Sequence, residues 1–365
     1  MQPKHLSRFA WLASLLASRF KRTGAGDEIP ASGKAAEARR RCSTRHSYRK
    51  AYMKTDFNHC KSVYWVFTQL CNDKCDHCYN SSGPQGTRIS AQDCLRIVRN
   101  LPASIGRLIL SGGEPIADRA KLYFILDAVQ EKYQGRTQVM LQTNGDLLTP
   151  EILDLLIAKG VTRFDIASID RYHKMAGSRL MTLADLFESR GVNGDDHDPL
   201  INKEHLLVEG HRLSWSYWGA SEDMWLDGNW ARGRALEKDI WLKDPSHNFC
   251  AILSGAKGFL GGTDLPQEIS IQLWKINPCC PGTKFPLGDA RQEKVADVLL
   301  RASQSEIMQR LNKGEPWKMG ESIGVSEEHA LARGEELQNV CRWCDEFFEQ
   351  HRQAAPVMQA AAGVA

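Results

Sequence analysis

The chain has 365 residues, 42% of them hydrophobic and 25% charged, with a net charge of +3. That balance excludes a disordered chain and carries no polyanion signal, so nucleic acid is not an expected partner. The length suits one large domain plus a smaller one, with enough buried surface to fold without disulfide staples.

Residues 1–60 form a basic arm with 13 Lys/Arg against 4 Asp/Glu, leaving the remainder mildly acidic. Phe9–Ala17 is a short apolar stretch after a basic start. Arg19, Lys21 and Arg22 follow it at once without a small-residue cleavage site, which argues against a signal peptide. Residues 5–22 read as an amphipathic helix, with Phe9, Leu12, Leu15, Leu16 and Phe20 at helical spacing. Such a helix packs on its own protein or lies against a membrane surface as a peripheral contact. Residues 23–50 are rich in Gly, Ala, Ser and Arg and read as a linker. No apolar run reaches the roughly 18–20 residues of a membrane span.

From residue 61 to about 245 strands and helices alternate. Ser62–Gln69 is rich in β-branched and aromatic residues and predicts a strand. Ser90 is a candidate N-cap for a helix running to Asn100. Arg107–Leu110, Thr137–Gln142 and Val161–Ile169 predict strands, and Asp118–Lys132 and Pro150–Lys159 predict helices. Repeated β-α order implies a parallel sheet with helical crossovers. Further on, Arg179–Arg190 predicts a helix, Gly191–Pro199 a polar loop, Arg212–Trp218 a strand, and Trp230–Lys238 leads into a helix. The loop's Asp195, Asp196, His197 and Asp198 read as solvated rather than as a metal site. Trp215, Trp218, Trp225, Trp230 and Trp241 are half of the ten tryptophans, fit for core packing or for lining a cavity. Residues 246–350 differ in character, rich in Gly and Pro and holding five of the eleven cysteines, and predict a strand at Glu268–Ile276. Residues 351–365 read as a tail.

The chemistry concentrates at Cys71, Cys75 and Cys78, a C-x3-C-x2-C loop just after the first strand. Soft thiolates select iron–sulfur clusters or zinc. Structural zinc sites are four-coordinate and usually pair two C-x2-C knuckles, which one three-cysteine loop fits poorly. Clustered thiols in a chain of this length point to a reducing compartment, the cytoplasm. Ser111-Gly112-Gly113-Glu114-Pro115 follows the second strand, Gln142-Thr143-Asn144-Gly145 the third, and Ser168-Ile169-Asp170 the fourth. Read singly, the first two are turns and the last a helix N-cap.

Taken with Tyr79, these motifs resemble the radical S-adenosylmethionine (SAM) superfamily. The resemblance implies a partial (β/α)6 barrel of the α/β class. It implies a [4Fe–4S] cluster held by Cys71, Cys75 and Cys78, with an open iron for SAM. It also implies SAM contacts from Tyr79, Gly112, Gly113, Glu114, Thr143, Asn144 and Ser168, with Glu114 facing the SAM ammonium. Asp170 is then the candidate catalytic residue facing the substrate. The family's glycine-rich motif on strand five is not found between residues 200 and 220.

Gly233-Arg234-Ala235 resembles the motif that closes the barrel in SPASM and twitch relatives. Cys250, Cys279 or Cys280, Cys341 and Cys344 resemble the ligand set of the auxiliary cluster in those domains, and zinc is the alternative. Adjacent side chains on an extended chain point to opposite faces, so one of Cys279 and Cys280 is spare. Pro281 stiffens the turn after Cys280 and favours it slightly as the ligand. Cys42, Cys60 and Cys94 belong to no motif.

The implied activity is reductive SAM cleavage and hydrogen abstraction, on a ribosomal peptide or on a natural-product or cofactor precursor. Flavodoxin or ferredoxin is the implied electron donor. The alternative function is a non-catalytic zinc- or iron–sulfur-binding interaction or electron-transfer protein.

Overall fold

Strand β1 (His59–Thr68) is the first described element and shows why the elements form where they do. The structure is a computed structural model that describes residues 56–167, 176–194, 213–218 and 229–354. The expected helix at 5–22, the linker, Ser168, Asp170, Trp225, the acidic stretch 195–198 and most of the tail lie outside the described residues.

After β1 come α1 (Ala91–Asn100), β2 (Ser104–Gly112), α2 (Arg119–Tyr133), β3 (Gln138–Thr143), α3 (Pro150–Ala158) and β4 (Val161–Ala167). Then follow α4 (Ala176–Glu188), β5 (Asn193–Gly194), β6 (Ser214–Trp218) and α5 (Gly233–Glu237). Ser90 caps α1, its hydroxyl accepting from Asp93 N at 3.0 Å. Lys132 of α2 closes the other end of α1, donating to the carbonyls of Val98, Arg99 and Leu101 at 2.7–3.1 Å.

The sheet order is β5-β6-β4-β3-β2-β1-β7-β8-β9. Strands β1 to β4 and β6 are parallel; β1 to β3 each neighbour their successor, and β4 neighbours β6. Sequential winding keeps right-handed crossovers on one face, as in a barrel and unlike a doubly wound sheet. Val63, Trp65 and Phe67 alternate with Ser62 and Tyr64 along β1 and are wholly buried. Trp65 Nε1 donates to the carbonyl of Leu273 at 2.9 Å.

The C-terminal segment joins the same sheet. Strand β7 (Glu268–Gln272) lies parallel to β1 on the side away from β2. The single strand expected at Glu268–Ile276 is instead a hairpin of β7 with β8 (Lys275–Asn277), followed by β9 (Gly288–Asp289). The turn is Leu273-Trp274, with Leu273 at φ +57°. Helices α6 (Val295–Ser303), α7 (Glu306–Asn312), α8 (Glu327–Leu337) and α9 (Val340–Gln350) complete the chain. Among the described residues no helix is long and apolar enough to cross a membrane.

Candidate active site

The loop leaving β1 is pinned at both ends before it reaches the cysteines. Gln69 N donates to Thr87 O at 2.8 Å and Cys71 N to Gly83 O at 2.9 Å. The loop after β2 docks on it from the side: Gly113 N donates to Thr68 O and Glu114 N to Leu70 O, both at 2.8 Å. Position 113 has to be glycine, because a Cβ there would lie 2.5 Å from Leu70 O and 2.8 Å from the Cβ atoms of Cys71 and Ser82.

Cys71 is buried, and Cys75 and Cys78 are half-buried on the same loop. Backbone amides already point at two of the sulfurs, Asp73 N at 3.4 Å from Cys71 Sγ and Ser82 N at 3.2 Å from Cys78 Sγ. Burial pushes the free Cys71 thiol up to about 12, with Glu114, Cys78 and Asp73 adding to the rise. Burial likewise raises Cys75 beside Asp73. A positive metal centre is what would make these groups thiolates, and N–H···S contacts suit ligated sulfur. The donor set therefore fits an iron–sulfur cluster. Among the described residues no three His, Cys, Asp or Glu side chains are grouped to hold a single metal ion.

Glu114 is wholly buried and takes three hydrogen bonds. Thr143 Oγ1 donates at 2.7 Å, Asn144 N at 2.7 Å and Ile116 N at 2.9 Å. Burial raises its pKa, and the three donors oppose that rise. The carboxylate expected to face a SAM ammonium thus also holds the Thr143-Asn144 turn. Gly112 and Gly113 line the cavity beside the cysteines, and Glu114 does not. Asn144 Nδ2 donates to Asn72 Oδ1 at 2.9 Å, and Asn72 Nδ2 to Asp146 Oδ2 at 3.2 Å. The three sequence motifs thus form one hydrogen-bonded frame.

That frame borders a cavity of about 180 Å³. Cys71, Cys75, Cys78, Tyr79, Thr143 and Asn144 line one end. Tyr64, which the sequence reading did not single out, lines it too, donating to Gln142 Oε1 at 2.8 Å and Ser111 Oγ at 2.9 Å. Its hydroxyl lies 3.3 Å from that of Tyr79, whose ring meets Trp230 edge-on at 4.8 Å. Asn229, also on the wall, has a buried Oδ1 without a hydrogen-bond partner among the described residues.

The other end of the cavity is charged, with Arg107, Asp165 and Glu268. Arg107 Nε donates to Gln138 Oε1 at 2.8 Å, and burial lowers its pKa to about 10 despite Asp165 and Glu268 nearby. Burial raises Glu268, which accepts from Ser62 at 3.3 Å and Ser254 at 3.4 Å. Ionisable residues inside strands were the available sequence signal for this end, since strands buried on both faces are ordinarily apolar.

The remaining cysteines gather on the C-terminal segment. Cys250, Cys341 and Cys344 are buried and Cys279 is half-buried in one electrostatic neighbourhood, each thiol raised first by burial and the set coupled through its charges. Cys341 and Cys344 share a face at the start of α9, where Asn339 caps the helix through Cys341 N at 2.8 Å. Cys280, slightly favoured over Cys279 from the sequence, turns the other way: it lines the cavity, with its sulfur 3.7 Å from Tyr79 Oη. Cys279 is therefore the member that joins the other three. Cys60 and Cys94 are buried core thiols, and Cys42 lies outside the described residues.

Residues 65–178 match the family model described as the radical SAM superfamily. The AdoMet-dependent heme synthase of Methanosarcina barkeri (strain Fusaro / DSM 804) is 34% identical over 134 residues, 33% of this chain and 37% of the relative. The AdoMet-dependent heme synthase of Nitratidesulfovibrio vulgaris (Hildenborough) is 30% identical over 115 residues, 30% of each chain. The chain therefore spans about a third of the length of these curated relatives. Among solved structures, native anSMEcpe with bound AdoMet and the Cp18Cys peptide aligns at TM-score 0.42 and 14% identity, covering 81% of this chain and 97% of that one. The first cysteine centre falls wholly inside the matched span, so this chain is similar to the radical SAM superfamily over residues 65–178.

Proposed function

We propose that this chain is an enzyme that binds a [4Fe–4S] cluster at Cys71, Cys75 and Cys78 and SAM in the adjoining cavity, and that it removes hydrogen from a substrate held further in. The observation that supports it most is that the three cysteines, Gly112–Gly113 and Thr143–Asn144 line one cavity through a single hydrogen-bonded frame. When bound, the cluster supplies the electron that cleaves SAM to methionine and a 5′-deoxyadenosyl radical, chemistry that belongs to the cofactor. The residues of the chain bind, orient and shield. Asp73 and Ser82 amides point at the sulfurs, Glu114 holds the Thr143-Asn144 turn, and the Tyr64–Tyr79 pair with Trp230 walls the cavity from water.

The charged far end suits a polar substrate, with Arg107 to meet an anionic group and Asp165 and Glu268 to meet hydrogen-bond donors. A ribosomal peptide, a cofactor precursor and, from the names of the relatives, a modified tetrapyrrole are the candidates. Ser168 and Asp170 keep their proposed roles at SAM and substrate. Flavodoxin or ferredoxin is the proposed electron donor. Cys250, Cys279, Cys341 and Cys344 are proposed to hold an auxiliary [4Fe–4S] cluster.

The test is anaerobic reconstitution with iron, sulfide and zinc analysis, then reduction in the presence of SAM. Iron and sulfide without zinc, and release of 5′-deoxyadenosine, are expected. Stoichiometric zinc with no SAM cleavage would overturn the reading.

A further inference from the structure

One short stretch, Arg232-Gly233-Arg234 at the start of α5, reaches both cysteine centres. Arg232 turns to the C-terminal centre. Its Nε donates to Gly282 O at 3.2 Å, its Nη2 to Cys341 O at 3.2 Å, and its Nη1 pairs with Asp345 at 2.8 Å. Cys341, Cys344 and Cys279 all act on its charge. Arg234 turns to the first centre. Its Nε donates to Cys75 O at 2.9 Å, its Nη2 to Ser82 O at 2.6 Å, and its backbone N to Cys78 O at 2.9 Å.

Between them Gly233 sits at φ +50°, where a Cβ would lie 2.4 Å from Tyr79 O and 2.7 Å from Cys78 O. The stretch therefore presses directly on the cysteine loop. A guanidinium is a rigid planar fork that fixes two acceptors at once. Consecutive Cα atoms are only about 3.8 Å apart, so two residues leave little slack between the arginines.

Resting on the radical SAM reading above, we propose that Arg232-Gly233-Arg234 is a tie through which the C-terminal cysteine centre sets the geometry of the Cys71–Cys78 loop, and with it the affinity for SAM. Ligation at the C-terminal centre fixes Cys341 and the Cys279–Gly282 turn, which hold Arg232. Arg234 then holds the carbonyls of Cys75 and Ser82 in register. Loss of the C-terminal centre frees Arg232 and relaxes the loop without removing any ligand of the first cluster. Both arginines are positioning residues, since they act through the loop.

The test is a double-mutant cycle on the full chain, reconstituted anaerobically with iron and sulfide. It compares wild type, Arg232→Ala, Cys341→Ala with Cys344→Ala, and all three changes together. Iron and sulfide content, SAM affinity and the SAM-induced change in the paramagnetic resonance of the reduced cluster are measured for each. Each change is expected to weaken SAM binding about tenfold, the scale of one lost charged hydrogen bond. About four irons should remain at the first centre in every variant. The combined variant should bind SAM no worse than either parent, because all cut the same tie. Arg234→Lys keeps the charge but cannot hold two carbonyls, and should show the same loss with the C-terminal centre intact. Additive losses overturn the tie. Should Arg232→Ala unfold by circular dichroism, Arg234→Lys carries the test, and wild-type SAM affinity in that variant overturns it. A wild-type chain that neither assembles the first cluster nor binds SAM sinks the radical SAM reading instead.

Discussion

Glu114 separates two roles for a carboxylate, binding a ligand or building the frame around it. In Glu114→Ala three buried donors lose their acceptor: Ile116 N, Thr143 Oγ1 and Asn144 N. Each orphaned donor costs about 1–3 kcal/mol. Two effects offset part of that sum: the desolvation of a wholly buried carboxylate disappears, and water can enter the space it leaves. A net loss of about 2–4 kcal/mol is expected, at the upper end of ordinary single substitutions. Glu114→Gln keeps the shape and one acceptor oxygen, but its amide faces at least one donor, for a loss of about 1–2 kcal/mol. The assay pairs urea unfolding of the metal-free chain with SAM affinity of the reconstituted chain. Stability and SAM affinity should fall together, with Glu114→Gln between wild type and Glu114→Ala. An alanine variant as stable as wild type that has nonetheless lost SAM affinity would refute the framing role and return the carboxylate to direct contact with SAM.

Replacing Cys71, Cys75 and Cys78 together by Ala should abolish 5′-deoxyadenosine release, measured by chromatography after reduction; undiminished release contradicts the assignment. Cys279→Ser should lose the second iron centre and Cys280→Ser should keep it, with iron analysis deciding; the reverse pattern would show that the loop turns over when metal binds. Burial alone would raise the pKa of Asp118, but Arg88 and Lys121, bonded at 2.7 and 3.0 Å, outweigh it and hold it below the usual 3.8. The stabilisation from this depressed carboxylate is complete above pH 3.8 and is lost as pH falls through the folded-state value. Asp118→Asn should thus cost about 1–2 kcal/mol at neutral pH and narrow its deficit below about pH 4, and parallel stability curves down to acid would rule the ion pair out. Gly233→Ala should lower both the unfolding midpoint and SAM affinity, because left-handed backbone and a close carbonyl both disfavour a Cβ; a neutral effect on both would count against the close approach.

The β-α order from β1 to β4 was legible because each strand carries its own signal and two of the three helices between them carry a side-chain cap. Ser90 caps as expected, accepting from Asp93 N, and Thr149, which was not singled out, caps α3 by accepting from Ile152 N. Strand ends were less legible. Strand β2 runs over Ser104–Gly112 rather than Arg107–Leu110, since pairing with β1 holds residues whose own propensity is poor. The hairpin at Leu273-Trp274 was hidden for a related reason. No glycine or asparagine marks it, and its backbone is held from across the sheet by Leu273 N to Val66 O at 2.6 Å and Trp65 Nε1 to Leu273 O. Contacts between residues some two hundred positions apart leave no trace in a local window.

The site divides the same way. Spacing pointed to the cysteine loop, but that spacing is not rare, so the Gly112–Glu114 and Thr143–Asn144 motifs were needed beside it. The direction in which a side chain points was not available from spacing. Alternation requires Cys279 and Cys280 to diverge, but which one faces which way depends on how the turn is fastened. Cys280 N donates to Ser254 O at 2.8 Å, and Gln272 Nε2 donates to Cys280 O at 2.5 Å. Those two bonds fix the peptide so that the Cys280 thiol enters the cavity beside Tyr79, while Cys279 turns toward Arg232 and α9. The pair is consequently a wall with one sulfur on each side. The proposed C-terminal centre would have two routes to the cavity, through this wall at Cys280 and through Arg232 and Arg234 at the cysteine loop. The two routes predict different signatures, an altered cavity with an undisturbed first cluster for the wall, and altered SAM binding at that cluster for the tie.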